Sequence, residues 1–295
     1  MRRPAKCLKT TDNQFEMGAQ SDLIYSIERS TFNKNAEMSK IFARTTIALA
    51  LFVGSSAAHA ADPEVTPYRP GVGSPAVINA PGTFEVEAGY DYAKASGARV
   101  DNLGLLLKYG VSSNLGLLLG VSPYVKLSGG GASVSGTSDV TVGAKFVTKL
   151  QPELAAGAQI VVSLPTGNSS VGGGGKSNVA LTGLIGVDFA GFHSDINLGV
   201  TRAGENPGAG VSRNRIGWSA SLGRTISGPL SGAIELSGNS LSGADRTVQL
   251  LGSLSYSVSS SLVVDGYLAR ARTTVSGSNV NSNGFGVGFS YLVAK

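Results

Sequence analysis

The chain has 295 residues, and its composition excludes several classes of protein. Glycine is abundant at 41 residues, charged residues make up only 15%, and there are 2 His and 1 Cys, so side chains that usually carry catalysis or bind metals are scarce. Residues 1–60 hold 8 of the 24 Lys/Arg and 5 of the 19 Asp/Glu, which leaves 16 basic and 14 acidic residues in the remainder and no basic run. Nucleic-acid binding is therefore not expected.

An export signal is the first recognisable element. The segment that begins at Met38 carries two basic residues, then an apolar stretch over 47–53, and ends in an Ala-His-Ala tripeptide at 58–60. This pattern is typical of a secretory signal peptide, so residues 38–60 are predicted to be removed by cleavage before Ala61. The apolar stretch is too short for a transmembrane helix, which needs about 20 residues.

Residues 1–37 precede this signal with mixed charge and without an apolar run. Export signals normally start near the N-terminus, so we interpret residues 1–37 as a start-site extension that the mature protein lacks. The single cysteine, Cys7, falls in this part. The mature chain is then expected to contain neither a disulfide nor a thiolate metal site.

A proline-rich segment, residues 61–81, follows the predicted cleavage site. It shows no strand-like alternation and contains Pro63, Pro67, Pro70, Pro75 and Pro81. Irregular backbone does not lie against lipid, because its unpaired polar groups would find no partners there. We therefore expect this segment to lie in the periplasm or inside the barrel that the following residues predict.

Alternation of apolar and polar residues runs through residues 82–295. In the first stretch Phe84 and Val86 share one face while Glu85 and Glu87 share the other, because side chains alternate across a strand. Twelve strands with this period are predicted, at 82–92, 102–111, 115–126, 139–146, 154–164, 178–189, 192–201, 214–224, 230–239, 246–257, 262–271 and 283–293. Most have about ten residues, the length of a tilted strand that crosses a membrane.

The connections between these strands alternate in length. Short ones at 112–114, 151–153, 191, 227–229 and 258–261 separate longer polar ones at 94–100, 128–136, 168–177, 203–213, 241–245 and 273–281. Short periplasmic turns and longer extracellular loops are typical of bacterial outer-membrane barrels. The predicted fold class is therefore all-β, an antiparallel transmembrane β-barrel of about 12 strands over residues 82–295.

Aromatic residues of the apolar face fall near the ends of the predicted strands. Those beside the short turns are Phe84, Tyr109, Phe146, Phe189, Phe192, Tyr256 and Tyr291. Those near the opposite ends are Tyr92, Trp218 and Phe285. Because aromatic side chains favour the membrane interface, this distribution predicts two girdles around a barrel.

The opposite face carries the charged residues of the strands. These are the candidates to line a pore: Glu85, Glu87, Asp91, Lys108, Lys126, Asp139, Lys145, Asp188, Asp195, Arg215, Glu235 and Asp265. Charges that face lipid cost free energy, so this face should surround the lumen. For each residue, an ion pair across a crowded interior competes with contact to a substrate as the interpretation. A soluble barrel would bury the apolar face instead, but the export signal, turn lengths and aromatic girdles argue against it.

Two short motifs resemble functional sites without the required context. Residues 171–177 resemble a phosphate-binding loop, yet Ser170 stands where its first glycine belongs and no helix is predicted to follow. His193 beside Ser194 resembles part of a hydrolase site, but we favour a lumen or interface histidine. No cofactor or metal site is predicted, and we do not expect an enzyme.

Several motifs resemble the family associated with the MetA pathway of phenol degradation. Its opening is matched by Arg69-Pro70-Gly71, residues 74–78, Pro81-Gly82, the pair Glu85 and Glu87, and Gly89-Tyr90. Its Leu-Pro-Thr-Gly turn is matched at 163–167 and its closing strand at 286–291, so the resemblance covers about residues 69–295. One departure is that four residues follow Tyr291, whereas outer-membrane barrels usually end in an aromatic residue.

The resemblance implies an outer-membrane transporter linked to uptake of aromatic or other hydrophobic compounds. Twelve strands predict a lumen narrower than that of sixteen-stranded porins. We therefore expect a bacterial outer-membrane channel for passive uptake of small organic molecules, with outer-membrane lipid, the substrate and the barrel-assembly machinery as partners. A structural or adhesion barrel without a through-path is the alternative, and an outer-membrane hydrolase has the least support.

Overall fold

The computed structural model describes residues 63–294. The predicted start extension (1–37), the signal peptide (38–60) and its cleavage site lie outside the described residues, as does Cys7. In the part of the chain that is described, no helix is long and apolar enough to cross a membrane.

Antiparallel strands make up nearly all of residues 84–294. They are β1 (Phe84–Ala95), β2 (Ala98–Gly110), β3 (Leu115–Gly129), β4 (Ala132–Gly136), β5 (Val140–Gln151), β6 (Leu154–Leu164), β7 (Asn178–Phe189), β8 (Phe192–Arg202), β9 (Asn214–Ser227), β10 (Leu230–Leu241), β11 (Asp245–Ser259), β12 (Leu262–Val275) and β13 (Ser278–Ala294). A single 3-10 turn at Ser169–Val171 precedes β7.

Twelve of these strands close into a barrel. Each pairs with its neighbours in chain order, β3 pairs with β5, and β1 pairs with β13 to close the sheet. The short β4 pairs only with the end of β3. Closure leaves no free sheet edge, which a strand structure in lipid requires. The predicted all-β fold, an antiparallel barrel of twelve strands, is confirmed.

The two faces of the barrel follow the alternation in the sequence. On β1, Phe84 is 38% exposed, whereas Glu85 and Glu87 are 0% and 2% exposed. Large apolar side chains such as Leu198 and Leu268 remain exposed on the outward face, at 65% and 71%. A soluble barrel would bury these side chains, so the outward surface is suited to lipid.

Strands extend further than predicted at the end of the barrel with the longer loops. β1 reaches Ala95 and β2 begins at Ala98, so the connection predicted at 94–100 contains only the turn Ser96-Gly97. The connection predicted at 273–281 likewise contains only Ser276-Gly277. In both turns the two central residues have positive φ, as two-residue hairpin turns that match strand twist require. Longer loops remain at 165–177 and 203–213.

The prediction that Lys126 lines the pore is wrong, because β3 contains a bulge. Leu103 of β2 pairs with Tyr124, but Leu105 pairs with Val121, so β3 carries one extra residue beside Pro123. A bulge of one residue exchanges the faces of everything beyond it. Lys126, predicted to line the pore, therefore lies on the outward face, where it pairs in register with Asp101. The neighbours of Lys126 in sequence, Val125 and Leu127, are buried on the inward face.

Residues 63–83 lie inside the barrel, at the end with the short turns. The Val65 N–H donates to the Ser260 carbonyl in the β11–β12 turn at 2.9 Å, and the Gly82 N–H donates to the Gly110 carbonyl at 2.7 Å. Between these two points the segment contacts inward-facing side chains of β1, β8 and β10. It therefore enters the lumen, crosses it, and returns to the short-turn end, where β1 begins.

Candidate functional site

The candidate site is the barrel interior, where the predicted pore-lining residues other than Lys126 lie on the inward face. Lys108 joins two of them, because its Nζ is 2.7 Å from Glu85 Oε2 and 2.6 Å from Glu87 Oε1. The N-terminal segment supplies further donors, since the Thr66 hydroxyl bonds Glu85 at 3.0 Å and the Tyr68 N–H bonds Glu87 at 2.7 Å. Buried charges need such partners, so the strands and the segment complete one cluster.

Two buried lysines contact the ring of Tyr68. Lys145 Nζ is 3.4 Å and Lys108 Nζ is 4.0 Å from the ring centroid, both within the range of a cation–π contact. Lys145 also donates to the Pro75 carbonyl at 3.0 Å. The Tyr68 hydroxyl donates to the Val77 carbonyl at 3.1 Å, so the segment folds back on itself around this ring.

Arg69 forms a second cluster on the adjacent part of the wall, with partners on β1 and β12. Its Nη2 is 3.3 Å from Asp265 Oδ1 and 3.7 Å from Asp91 Oδ1. Gly89 and Gly288, which pair across β1 and β13, leave the space that the guanidinium occupies. A Cβ on either glycine would overlap the guanidinium. The two glycines are therefore needed for close approach of the segment.

Backbone groups of the segment bind acceptors on the far wall. Glu235 of β10 accepts the N–H groups of Val72 and Gly73 at 3.1 Å each. On β8, Asn197 Oδ1 accepts the Ser74 N–H at 2.6 Å, and Asp195 Oδ1 accepts the Ala76 N–H at 2.8 Å. Irregular backbone inside a barrel needs side-chain partners of this kind, because no strand pairs with it.

A cavity of about 350 Å³ lies between the segment and the longer loops. Residues 68–74 form its floor, and Gly172, Gly175 and Lys176 of the loop before β7 line it at the opposite end. Its wall combines apolar and polar side chains, among them Leu106, Leu118, Val161 and Leu251 with Asn102, Thr141, Gln159 and Asn178. The volume is near the lower end of the range of small-molecule sites, and the mixed lining is typical of them.

The remaining predicted residues bind other protein groups. Asp139 Oδ1 accepts the N–H groups of Gly167 and Gly174 at 2.8 Å each, so it anchors the loop before β7. Arg215 pairs with Asp245 at 2.6 Å. Both contacts lie within the protein: Asp139 binds backbone groups and Arg215 binds a carboxylate.

The two motifs that resemble functional sites are residues 171–177 and the pair His193-Ser194, and both make contacts within the protein. The stretch 171–177 is followed by β7, and Val171 is packed in a buried apolar cluster with Val125 and Leu127. Both ring nitrogens of His193 contact carboxylates, at 2.7 Å to Asp188 and 3.0 Å to Asp195. The hydroxyl of the adjacent Ser194 donates instead to the Ser221 carbonyl at 2.7 Å.

Sequence reasoning missed Tyr68 and Arg69 as site residues. The sequence singles out Arg69 only as part of a family motif. Nothing near it in the sequence indicates its partners, which lie up to 196 positions away. One signal was available: acidic residues outnumber basic ones on the inward face of the strands, so a cation from elsewhere was needed. The facing glycines Gly89 and Gly288 marked where it would lie.

No protein-family model matches this chain, and comparison with curated proteins finds no match. Solved structures do match. An outer-membrane channel from Pseudomonas putida F1 superimposes with a TM-score of 0.54 at 16% identity, over 78% of this chain and 100% of that chain. The NanC porin superimposes with a TM-score of 0.51 at 11% identity, over 70% of this chain and 100% of that chain.

The chain therefore has the fold of outer-membrane β-barrels. Identity this low shows the fold alone, and function has to be argued from the interior of this chain.

Proposed function

We propose that this protein is an outer-membrane channel for the passive uptake of small organic molecules. The observation that carries the proposal is the cavity of about 350 Å³ inside the closed barrel, with residues 68–74 as its floor. The outward face, with Leu198 and Leu268 exposed, supports a location in lipid. Passive passage uses only this lumen and requires no cofactor.

The lining supports a substrate class with an apolar body and a polar group. Leu106, Leu118 and Val161 offer apolar contact, while Asn102 and Gln159 offer hydrogen bonds. The resemblance of residues 69–295 to the MetA-pathway family of phenol degradation implies the same class, aromatic or other hydrophobic compounds. The size of the cavity restricts passage to small solutes.

One observation favours a second candidate, a structural or adhesion barrel without a through-path. Residues 63–83 fill the short-turn half of the lumen, and their polar groups are bonded to the wall. A hydrolase has the least support, because both nitrogens of His193 contact carboxylates and Ser194 bonds Ser221.

Recordings in planar lipid bilayers, combined with liposome swelling, test the channel proposal. The purified mature protein should show discrete but low conductance, and liposomes should admit small neutral aromatic alcohols faster than hexoses of greater size. Protein-free liposomes provide the baseline. Absence of both conductance and swelling would support the structural barrel.

We also propose that export proceeds through the signal at 38–60, with loss of residues 1–37. The test is N-terminal sequencing and intact mass of protein recovered from the outer-membrane fraction, which should begin at Ala61. Recovery of residues 1–37 in the membrane-inserted protein would contradict both the processing and the start-site interpretation.

A further inference from the structure

Positive charge is concentrated on one sector of the outward face, at the end of the barrel with the longer loops. Six basic residues of β11, β12, β1, β2 and β3 lie there, and we call them the basic rim: Arg246, Arg270, Arg272, Lys94, Arg99 and Lys126. Their outward direction follows from alternation, because Lys94 lies between the buried Ala93 and Ala95, and Arg99 between the buried Ala98 and Val100. Arg270 and Arg272 flank the buried Ala271 in the same way.

The basic rim adjoins the aromatic girdle. In the strand register Arg270 lies opposite Asn283, Asn283 opposite Lys94, and Lys94 opposite Arg99. The next outward row toward the short turns consists of Leu268, Phe285 and Tyr92, aligned in the same register. The Tyr92 and Phe285 rings stack at 5.2 Å, and the Arg99 guanidinium is 5.0 Å from the Tyr92 ring. Since aromatic side chains mark the membrane interface, the rim lies at the level of lipid headgroups.

The polarity of the wall reverses at this level. Between the basic rim and the short turns, the outward face is apolar and the inward face carries the charges. At the level of the basic rim, the buried inward side chains are apolar, namely Ala93, Val100 and Leu127, while Lys94 and Arg99 point outward. Such a reversal is expected where a strand leaves hydrocarbon and enters a polar environment.

Acidic residues of the protein neutralise only part of the positive charge of the basic rim. Arg99 pairs with Asp101, the one acidic residue on the outward surface of this sector among residues 63–294. Lys94, Arg246 and Arg270 form no ion pair with any residue in that range. Neighbouring strands are about 5 Å apart, so Lys94 and Arg99 place two cations close together without a shared acid. A bound anion would relieve the repulsion between them.

Asparagines accompany the cations. Asn279, Asn281 and Asn283 alternate along the outward face of β13, between the arginines of β12 and Lys94 of β1. Arg272 Nε donates to Asn281 Oδ1 at 3.4 Å. Amide side chains both donate and accept hydrogen bonds, which suits sugar hydroxyls as well as phosphate oxygens.

We propose that the basic rim binds the phosphorylated sugar headgroup of the outer-leaflet glycolipid, lipopolysaccharide. The cations contact its phosphates through charge-assisted hydrogen bonds, the asparagines contact its sugars, and its acyl chains pack against the row of Leu268, Phe285 and Tyr92. The assignment rests on the proposed outer-membrane location, with the longer loops outside the cell. It does not depend on whether the lumen conducts.

Binding of purified lipid A, a diglucosamine lipid with two phosphates, tests the proposal by thermophoresis of the protein in detergent. The variant Lys94→Gln/Arg270→Gln/Arg272→Gln removes three rim charges. It should bind at least about tenfold more weakly, because each cation near a membrane surface contributes about 1 kcal/mol. The matched control Lys149→Gln/Arg202→Gln/Arg224→Gln removes three exposed charges away from the rim and should bind within about twofold of wild type. Thermal unfolding confirms that both variants fold.

Four outcomes would overturn the assignment. They are wild-type affinity in the rim variant, an equal loss in the control variant, equal binding of dephosphorylated lipid A, and equal competition by phosphatidylglycerol. The first two would assign binding to another surface or to net charge, and the last two to acyl chains or to any anionic lipid. A loss confined to the rim variant and to the phosphorylated sugar lipid supports the proposal.

Discussion

The two halves of the lumen use their polar groups in opposite ways. In the short-turn half, Glu87 and Glu235 accept N–H groups of the N-terminal segment, and Lys145 donates to its Pro75 carbonyl. In the long-loop half, side chains such as Leu118 and Thr141 border a cavity. Wall and segment therefore form one polar network in the filled half, whereas the open half has a lining suited to a mobile solute.

Removal of the N-terminal segment from the lumen should have the largest effect, and we expect it in the single-channel conductance. A mature variant without residues 62–80 should form the same twelve-stranded barrel, because no strand hydrogen bond is removed, and its single-channel conductance should rise severalfold over wild type. Bilayer recordings measure this. A variant with residues 62–80 replaced by a Gly/Ser linker of equal length serves as a control, since it keeps the chain but loses the bonds to Glu87 and Glu235.

That comparison also separates the functional alternatives. A raised conductance in both variants supports a lumen restricted by specific contacts of the segment. High conductance that does not change in the deletion variant would mean an open pore in the wild type. No conductance in any form would favour the structural barrel.

A second test contrasts the wall of the open half with the lipid face. Leu119 is 42% exposed on the outward face in the middle of the apolar part of β3, and its neighbour Leu118 borders the cavity. Leu119→Arg should lower the free energy of unfolding by about 2–4 kcal/mol, the cost of a cation near the bilayer midplane. Leu118→Arg should cost distinctly less, because its guanidinium can reach water in the cavity. Equal losses in reversible unfolding in lipid would show that the faces are wrongly assigned.

A third test adds one methyl group in the filled half. Gly89→Ala places a Cβ where the Arg69 guanidinium lies, so it should lower the free energy of unfolding by about 1–3 kcal/mol, as overpacking does. Gly104→Ala is the control, since its Cβ would meet nothing closer than 3.7 Å. Denaturant unfolding of the barrel in detergent provides the measurement.

The source of that cost can be isolated with a double variant. If the overlap with Arg69 is its cause, Arg69→Ala should reduce the effect of Gly89→Ala to that of the control. Additive losses would place the strain in the pairing of β1 with β2 and β13 instead.

The sequence predicted most of the fold because lipid imposes a simple pattern. Stretches such as 178–189 and 154–164 coincide with β7 and β6, since the residues of one face are apolar or glycine along the whole length. Where the strands extend beyond the membrane, the sequence predicted them to end too early. Near Lys94 and Arg99 the outward face is charged, so the period of two no longer has the expected polarity.

The candidate site was predictable only in part. Inward charges such as Glu85 and Lys108 follow from alternation along a single strand. Lys126 did not follow, because the bulge beside Pro123 exchanges the faces of the residues beyond it. Such a bulge depends on how β3 pairs with β2, and a pattern read along one strand contains no information on pairing.

Barrel closure, strand number and, outside the bulge in β3, the two faces thus follow from the amino-acid sequence, because backbone pairing and side-chain alternation are local requirements of a strand in lipid. The position of residues 63–83 and the groups that they bind follow from the folded barrel alone. Arg69 meets Asp265 across 196 positions of chain, and Val72 meets Glu235 across 163. Contacts of that separation depend on the shape of the completed lumen, and the division of this barrel into a filled and an open half depends on them.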